Sequence, residues 1–103
     1  KTDSIDSARY CLQRISADIM GASSIDPSSD MNRLIVQVGG KVVSYDLNAN
    51  KVRRMVDGTT SYLTEQGRVV SLSFNYNGPA VISTILPGSC LNAPLTLEAG
   101  MRN

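Results

Sequence analysis

The stretch KTDSIDSARYCLQRISADIMGASSI (1–25) decides how this chain can fold, because its apolar residues recur with a helical period. The recurring residues are Ile5, Ala8, Leu12, Ile15 and Ile19. Positions three and four apart share one face of a helix, so these side chains form a single stripe. Gly21 follows the stripe and is a common helix stop. We therefore predict a helix over about residues 3–21 whose stripe packs against a sheet.

Beyond the helix the apolar period changes from 3.6 to 2, which is typical of half-buried strands. A loop is expected over 22–32, followed by a β-meander over 33–101. Its clearest strands are RLIVQV (33–38), KVVSYDL (41–47), KVRRMV (51–56), RVVSLSFNY (68–76) and AVISTIL (80–86). TTSYLTEQ (59–66) is ambiguous between an edge strand and a loop. The pattern predicts an α+β fold, with the helix across one face of an antiparallel sheet.

Length and charge limit what the chain can be. With 103 residues and 42% hydrophobic content, residues 1–103 are expected to form one globular domain. The formal net charge of +1 is spread along the chain, so binding to nucleic acid is not favoured. No apolar run approaches the roughly 18 residues that span a bilayer.

Residue types also argue against an enzyme. The chain has no histidine and only two cysteines, Cys11 and Cys90, without a CxxC pair. The usual Cys/His zinc sites and a Ser-His-Asp triad therefore cannot be built, and a thiol nucleophile would lack an imidazole base. Asp57, Glu65 and Glu98 show no convergence in sequence that would suit acid–base catalysis. We expect no catalytic residues, no metal site and no cofactor.

Two oxygen-rich segments have an alternative interpretation, in which they are calcium-binding loops. DLNAN (46–50) has oxygen ligands at alternate positions, but Lys51 stands where such a loop needs glycine. A plain hairpin turn is favoured there, and local backbone bonding is favoured for Asp26, Asp30 and Asn32.

The group Lys51, Arg53 and Arg54 could face a phosphate or an acidic partner. Alternation along a strand puts Arg54 on the opposite side from the other two, which divides the patch. A solvated strand edge protected by charge is favoured instead.

The helix end LQRISADIMGASSI (12–25) resembles that of type IV pilin-like proteins, particularly minor pilins and J-type minor pseudopilins of type II secretion. A leucine, an acidic residue and an Ala-x-x-Ile ending recur in that family, and here they are Leu12, Asp18, Ala22 and Ile25.

Three further segments extend the resemblance to nearly the whole chain. GKVVSYDLNANKVRRMVDG (40–58) is similar to the family's hairpin, with Tyr45, Leu47, Val52 and Arg53 or Arg54 at the matching positions. VVSLSFNYNG (69–78) and the terminal MRN also resemble family segments.

The resemblance implies a pilin-like fold and a non-catalytic structural subunit of a type IV pilus or a type II secretion pseudopilus. Its partners would be other pilin or pseudopilin subunits. It also implies an apolar N-terminal segment, absent from this sequence, that anchors the subunit in the inner membrane before assembly. The globular domain would then face the periplasm or the cell surface.

An extracytoplasmic location would favour a disulfide between Cys11 and Cys90, which would contribute about 4 kcal/mol in the chain-entropy model. Two unpaired thiols, with Cys11 packed beside the stripe, are the alternative.

The alternative function is a secreted α+β binding module, which would need an exposed apolar or aromatic groove. Phe74 and four tyrosines are the only aromatic residues, so the sequence offers little material for such a groove.

Overall fold

The computed structural model describes residues 4–88 and 93–101, and within them one helix precedes eight β-strands. In chain order these elements are α1 (Ser4–Met20), β1 (Ala22–Ile25), β2 (Leu34–Val38), β3 (Lys41–Asn48), β4 (Lys51–Val56), β5 (Thr59–Tyr62), β6 (Val69–Asn77), β7 (Ala80–Pro87) and β8 (Leu95–Gly100). Strands β1 to β5 form one sheet in chain order, and β6 to β8 form a second. All strand pairings within these sheets are antiparallel.

The predicted fold class, a pilin-like α+β fold with one helix across a single antiparallel sheet, is wrong. The described residues are mostly β, and their strands form two sheets rather than one continuous meander. Alternation of apolar and polar residues marks strands, but it carries no information about which strand edges pair.

The segment 63–68, which connects the two sheets, stays beside β4 after β5 ends. The Leu63 N–H donates to the Val52 carbonyl at 2.9 Å, and the Val52 N–H donates to the Thr64 hydroxyl at 3.0 Å. Gly67 then adopts a φ of +83°, a conformation that glycine reaches without steric cost. These contacts tie the segment to β4, so β6 begins away from the free edge of β5.

The loop before β2 covers part of β6. The Phe74 N–H donates to the Met31 carbonyl at 2.9 Å, and the Tyr76 hydroxyl donates to the Asp30 carbonyl at 2.8 Å. The loop therefore connects the edge of the second sheet to the first sheet.

The helix α1 packs chiefly against β7 and β8 of the second sheet and also contacts β2 of the first. Large, fully buried side chains come from the helix and from both sheets, and they include Ile15, Leu34, Tyr45, Phe74 and Ile85. One hydrophobic core thus joins the helix and both sheets.

The segment predicted as a loop over 22–32 contains the short strand β1. Its register pairs Ala22 with Val38 and Ile25 with Val36 on β2. Two serines at its centre hide the strand from a search for alternating apolar residues. Pairing with the edge of β2 supplies the stabilisation that the local sequence lacks.

We predict that Ile15→Ala lowers the free energy of unfolding by about 2–5 kcal/mol, because it removes a fully buried side chain and leaves a cavity. Urea denaturation of the variant and the wild type would measure the change. Gln13→Ala, on the exposed side of α1, is the control and should stay within about 0.5 kcal/mol. Equal effects of the two substitutions would contradict the burial of the stripe.

Candidate functional site

A polar contact joins the last turn of α1 to the hairpin formed by β3 and β4. It consists of Asp18, Tyr45 and Arg54, which we name the junction cluster. The Tyr45 hydroxyl donates a hydrogen bond to the Asp18 carboxylate. Arg54 Nε donates to the same carboxylate at 3.1 Å and to the Tyr45 hydroxyl at 3.0 Å. Each of the three side chains therefore contacts the other two.

Strand register and helix periodicity bring this cluster together. The pairing of β3 with β4 places Tyr45 directly opposite Arg54, so their side chains are neighbours on one face. Ala49 and Asn50 have φ values of 53° and 58°, as the two-residue turns of tight hairpins require, and this turn sets the register. Asp18 follows Ile15 by three residues, which puts its carboxylate on the packed side of α1.

Burial controls the electrostatics of the junction cluster. Tyr45 is fully buried, and the side chains of Arg54 and Asp18 are only 16% and 12% exposed. Burial, together with the hydrogen bond and negative charge of Asp18, raises the pKa of Tyr45 above its ordinary range. Burial opposes the charge on Arg54, but its bonds to Asp18 and Tyr45 raise the pKa of Arg54 overall. The cluster is thus a neutral donor and an ion pair that satisfy one another, an arrangement suited to holding two elements together.

The basic residues of β4 engage other parts of the chain instead of forming a patch. Arg53 makes two bonds to the Asp46 carboxylate, at 2.8 and 2.6 Å, and Arg54 belongs to the junction cluster. The Lys51 ammonium lies 4.3 Å from the centre of the Tyr62 ring. Strand β4 lies between β3 and β5, so the prediction that this group marks a solvated strand edge is wrong. The ambiguous segment after β4 supplies the true edge strand.

The oxygen-rich segments bind their own backbone and side chains. Residues 46–48 end β3, where Asp46 binds Arg53, and residues 49–50 form the turn to β4. Asp26 Oδ1 accepts a bond from the Ser28 N–H at 2.8 Å, and Asp30 Oδ1 accepts one from the Asn32 N–H at 2.8 Å. Across residues 4–88 and 93–101, no three metal-ligating side chains of the His, Cys, Asp or Glu type lie close enough to hold a metal ion.

The residues predicted to pack the helix on a sheet lie along the buried side of α1. Ile15, Ile19 and Ala8 are fully buried, Leu12 is nearly so, and Ile5 is half-buried. Their neighbours in the core belong to both sheets.

Cys11 lies beside this stripe and is fully buried. In its thiol form, burial raises the pKa of Cys11 to about 12. Cys90 lies outside the described residues, so the pairing of Cys11 with Cys90 stays a prediction.

A groove of about 570 Å³ opens between the first half of α1 and the segment after β5. We name it the tyrosine groove, and its lining residues are Ser7, Tyr10, Tyr62, Leu63, Thr64, Glu65 and Arg68. Tyr10 and Tyr62 are 53% and 45% exposed. The Tyr62 hydroxyl donates to Asn48 Oδ1 at 3.3 Å, and Arg68 donates to Glu65.

With one phenylalanine and four tyrosines, the chain has few aromatic residues from which to build a groove. Two of its tyrosines line a single groove although they are more than fifty residues apart in sequence. The sequence indicated only weakly that Tyr10 lines a groove: this residue lies off the apolar stripe of α1, so its side chain faces outward. The contribution of Tyr62 depends on the fold of residues 63–68, for which the sequence carries no comparable signal.

No family model matches the chain, and neither a curated protein nor a solved structure gives a match. None of the described residues belongs to a helix with the length and apolar content needed to cross a membrane.

We predict that Arg54→Met lowers the free energy of unfolding by about 3 kcal/mol, because it leaves the Asp18 carboxylate buried without its counter-charge. Urea denaturation at neutral pH would measure the loss. Arg9→Met is the matched control on α1, since the Arg9–Asp6 pair is 66% and 63% exposed and spans 4.0 Å. The control should change stability by less than about 1 kcal/mol.

The double variant Asp18→Leu/Arg54→Met separates an unpaired charge from a general loss of packing. It should be more stable than Arg54→Met alone, because it removes both members of the buried ion pair. A double variant no more stable than the single one would show that the ion pair is not the cause.

We predict that Tyr45→Phe reduces the loss of stability at alkaline pH. The pKa of Tyr45 is raised in the folded protein, so its contribution is fully present below its unfolded pKa near 10 and is lost as pH rises further. Above about pH 10, Tyr45 ionises more readily in the unfolded chain than in the folded protein. The wild type should therefore lose up to about 1.4 kcal/mol of unfolding free energy for each further pH unit. Unfolding measured from neutral to strongly alkaline pH should give a shallower slope for the variant. Parallel slopes would contradict the prediction.

Proposed function

We propose that this chain is a non-catalytic structural subunit, a minor pilin or pseudopilin, of a type IV pilus or a type II secretion pseudopilus. This proposal concerns function only. It does not require the predicted fold with a single sheet, which the two observed sheets contradict. The observation that carries it is the position of the residues on which the sequence resemblance rests.

Of the segments that carry the resemblance, the fold brings two together: the helix end (12–25) and the hairpin of β3 and β4. Leu12 and Ala22 from the helix end share a core with Tyr45 and Val52 from the β3–β4 hairpin. The acidic residue of the helix end, Asp18, contacts the tyrosine and an arginine of the hairpin in the junction cluster. A pattern defined on sequence alone therefore coincides with one physical contact, which supports a shared requirement rather than a chance match.

A firm joint between helix and sheet suits assembly. In the proposed role the helix carries the contacts that build the filament, and the β-sheets form its outer surface. A subunit in such a filament must hold its helix at one angle to its sheets, because its neighbours bind both. The junction cluster and the buried stripe of α1 fix that angle with directional bonds and packing.

The proposed partners are other pilin or pseudopilin subunits, and the proposed location is the periplasmic or cell-surface face of the inner membrane. Anchoring before assembly would use an apolar segment upstream of Lys1. The proposal needs no cofactor.

The test is to sequence the coding region immediately upstream of Lys1. We expect it to encode about 20 apolar residues, long enough to span a bilayer, after a short basic leader that ends in glycine. The full-length chain, purified from the membranes of its own cell with an affinity tag, should then bring down other subunits with the same type of leader. An ordinary cleaved signal peptide ending just before Lys1 would overturn the assembly role.

The second candidate is a secreted binding module, and the tyrosine groove is the specific observation in its favour. The groove has the size of a small-ligand site, within the roughly 300–1,000 Å³ of such pockets, and it presents two exposed aromatic rings. The upstream sequence distinguishes the two functions, since a secreted module predicts the signal peptide that the subunit role excludes.

A further inference from the structure

One aromatic wall of the tyrosine groove, Tyr62, is held in place although it is exposed. Tyr10 belongs to α1, and Tyr62 is the last residue of the short strand β5. The Lys51 ammonium covers the Tyr62 ring at 4.3 Å, and Asn48 accepts the bond from its hydroxyl. A cation over the ring face and a bonded hydroxyl limit rotation of the side chain. Tyr62 thus loses little freedom when a ligand contacts its ring.

A charged pair lies in the groove lining. Arg68 Nε and Nη2 both donate to Glu65 Oε1 at 3.2 Å. Within the described residues these bonds leave Glu65 Oε2 as an acceptor and Arg68 Nη1 as a donor for a ligand. Ser7 belongs to the same lining. The groove therefore offers a donor and an acceptor on adjacent side chains, next to aromatic rings.

Charges of both signs meet at the groove: among the described residues its lining includes Glu65 and Arg68, and the Lys51 ammonium lies over the Tyr62 ring. A strongly anionic or cationic ligand would meet a like charge as well as an opposite one. The groove is therefore matched to a neutral ligand that is rich in hydrogen bonds.

We propose that the tyrosine groove binds a short neutral oligosaccharide. Each sugar hydroxyl can donate and accept, so neighbouring hydroxyls can bind Glu65 and Arg68 at once. The apolar C–H face of a sugar ring can pack on Tyr10 or Tyr62, whose rings combine an apolar face with a polar edge. A groove of about 570 Å³ has room for such a ligand.

A proline-rich peptide is the competing occupant of a groove lined by tyrosines. Its prolines have no N–H, so they cannot donate to the free oxygen of Glu65. An oligosaccharide uses both members of the charged pair, and the lining therefore favours it.

This site does not depend on the proposed assembly role, because a filament subunit and a secreted module can both carry it. The two proposals can fail separately: the upstream sequence tests assembly, and binding to the isolated chain tests the groove.

The test is a titration of the ¹⁵N-labelled 103-residue chain with chitotriose, with maltotriose and with decaproline, followed by amide NMR shifts. We expect at least one of the two sugars to give saturable shifts at millimolar concentration, concentrated on Ser7, Tyr10 and the segment 62–68. Decaproline should give none there. Tyr62→Ala and Tyr10→Ala should each weaken the binding by about tenfold or more, and Tyr10→Phe should preserve most of it because the ring is kept.

Leu97→Ala is the matched control. Leu97 lines a second, smaller groove of about 260 Å³ between α1 and β8, and its truncation should leave the sugar affinity unchanged. Shifts that map to the second groove would overturn the proposal. So would the absence of saturable shifts with both sugars, or binding of decaproline alone to the tyrosine groove.

Discussion

The apolar stripe of α1 is the constraint on which the rest of the structure depends. A helix with one apolar face is stable only when that face is covered. Strands β7 and β8 supply most of the cover and β2 contributes a smaller part, so the helix packs on two sheets that share no strand pairing. Without the helix, both sheets would expose the residues that now form one core.

The junction cluster adds direction to this packing. Apolar contacts tolerate sliding and small rotations, whereas hydrogen bonds such as those among Asp18, Tyr45 and Arg54 depend on distance and angle. Burying an ion pair costs desolvation energy that its attraction only partly offsets. The cluster is therefore better understood as a device that selects one docking geometry than as a large source of stability. That property matters most to a protein whose helix and sheets must both meet neighbours.

The tyrosine groove shows how the same fold produces a surface feature. Hydrogen bonds hold residues 63–67 beside β4 and its preceding turn, and the same segment places Glu65 and Arg68 in one groove with residues of the first half of α1. The segment that connects the two sheets therefore also forms part of the groove.

The sequence by itself determined the elements whose signal is local. The 3-4 spacing around Ile15 marks the helix, alternation marks β6, and Ala49-Asn50 lies between two strands as a hairpin turn does. The tertiary structure alone decided that β5 and β6 belong to separate sheets, because alternation is the same whichever edge a strand joins. It also decided that Arg54 faces Asp18 and that Tyr10 shares a groove with Tyr62. Those contacts join residues more than thirty positions apart, and they depend on the turn at 63–68 and on the angle of α1, neither of which a local pattern encodes.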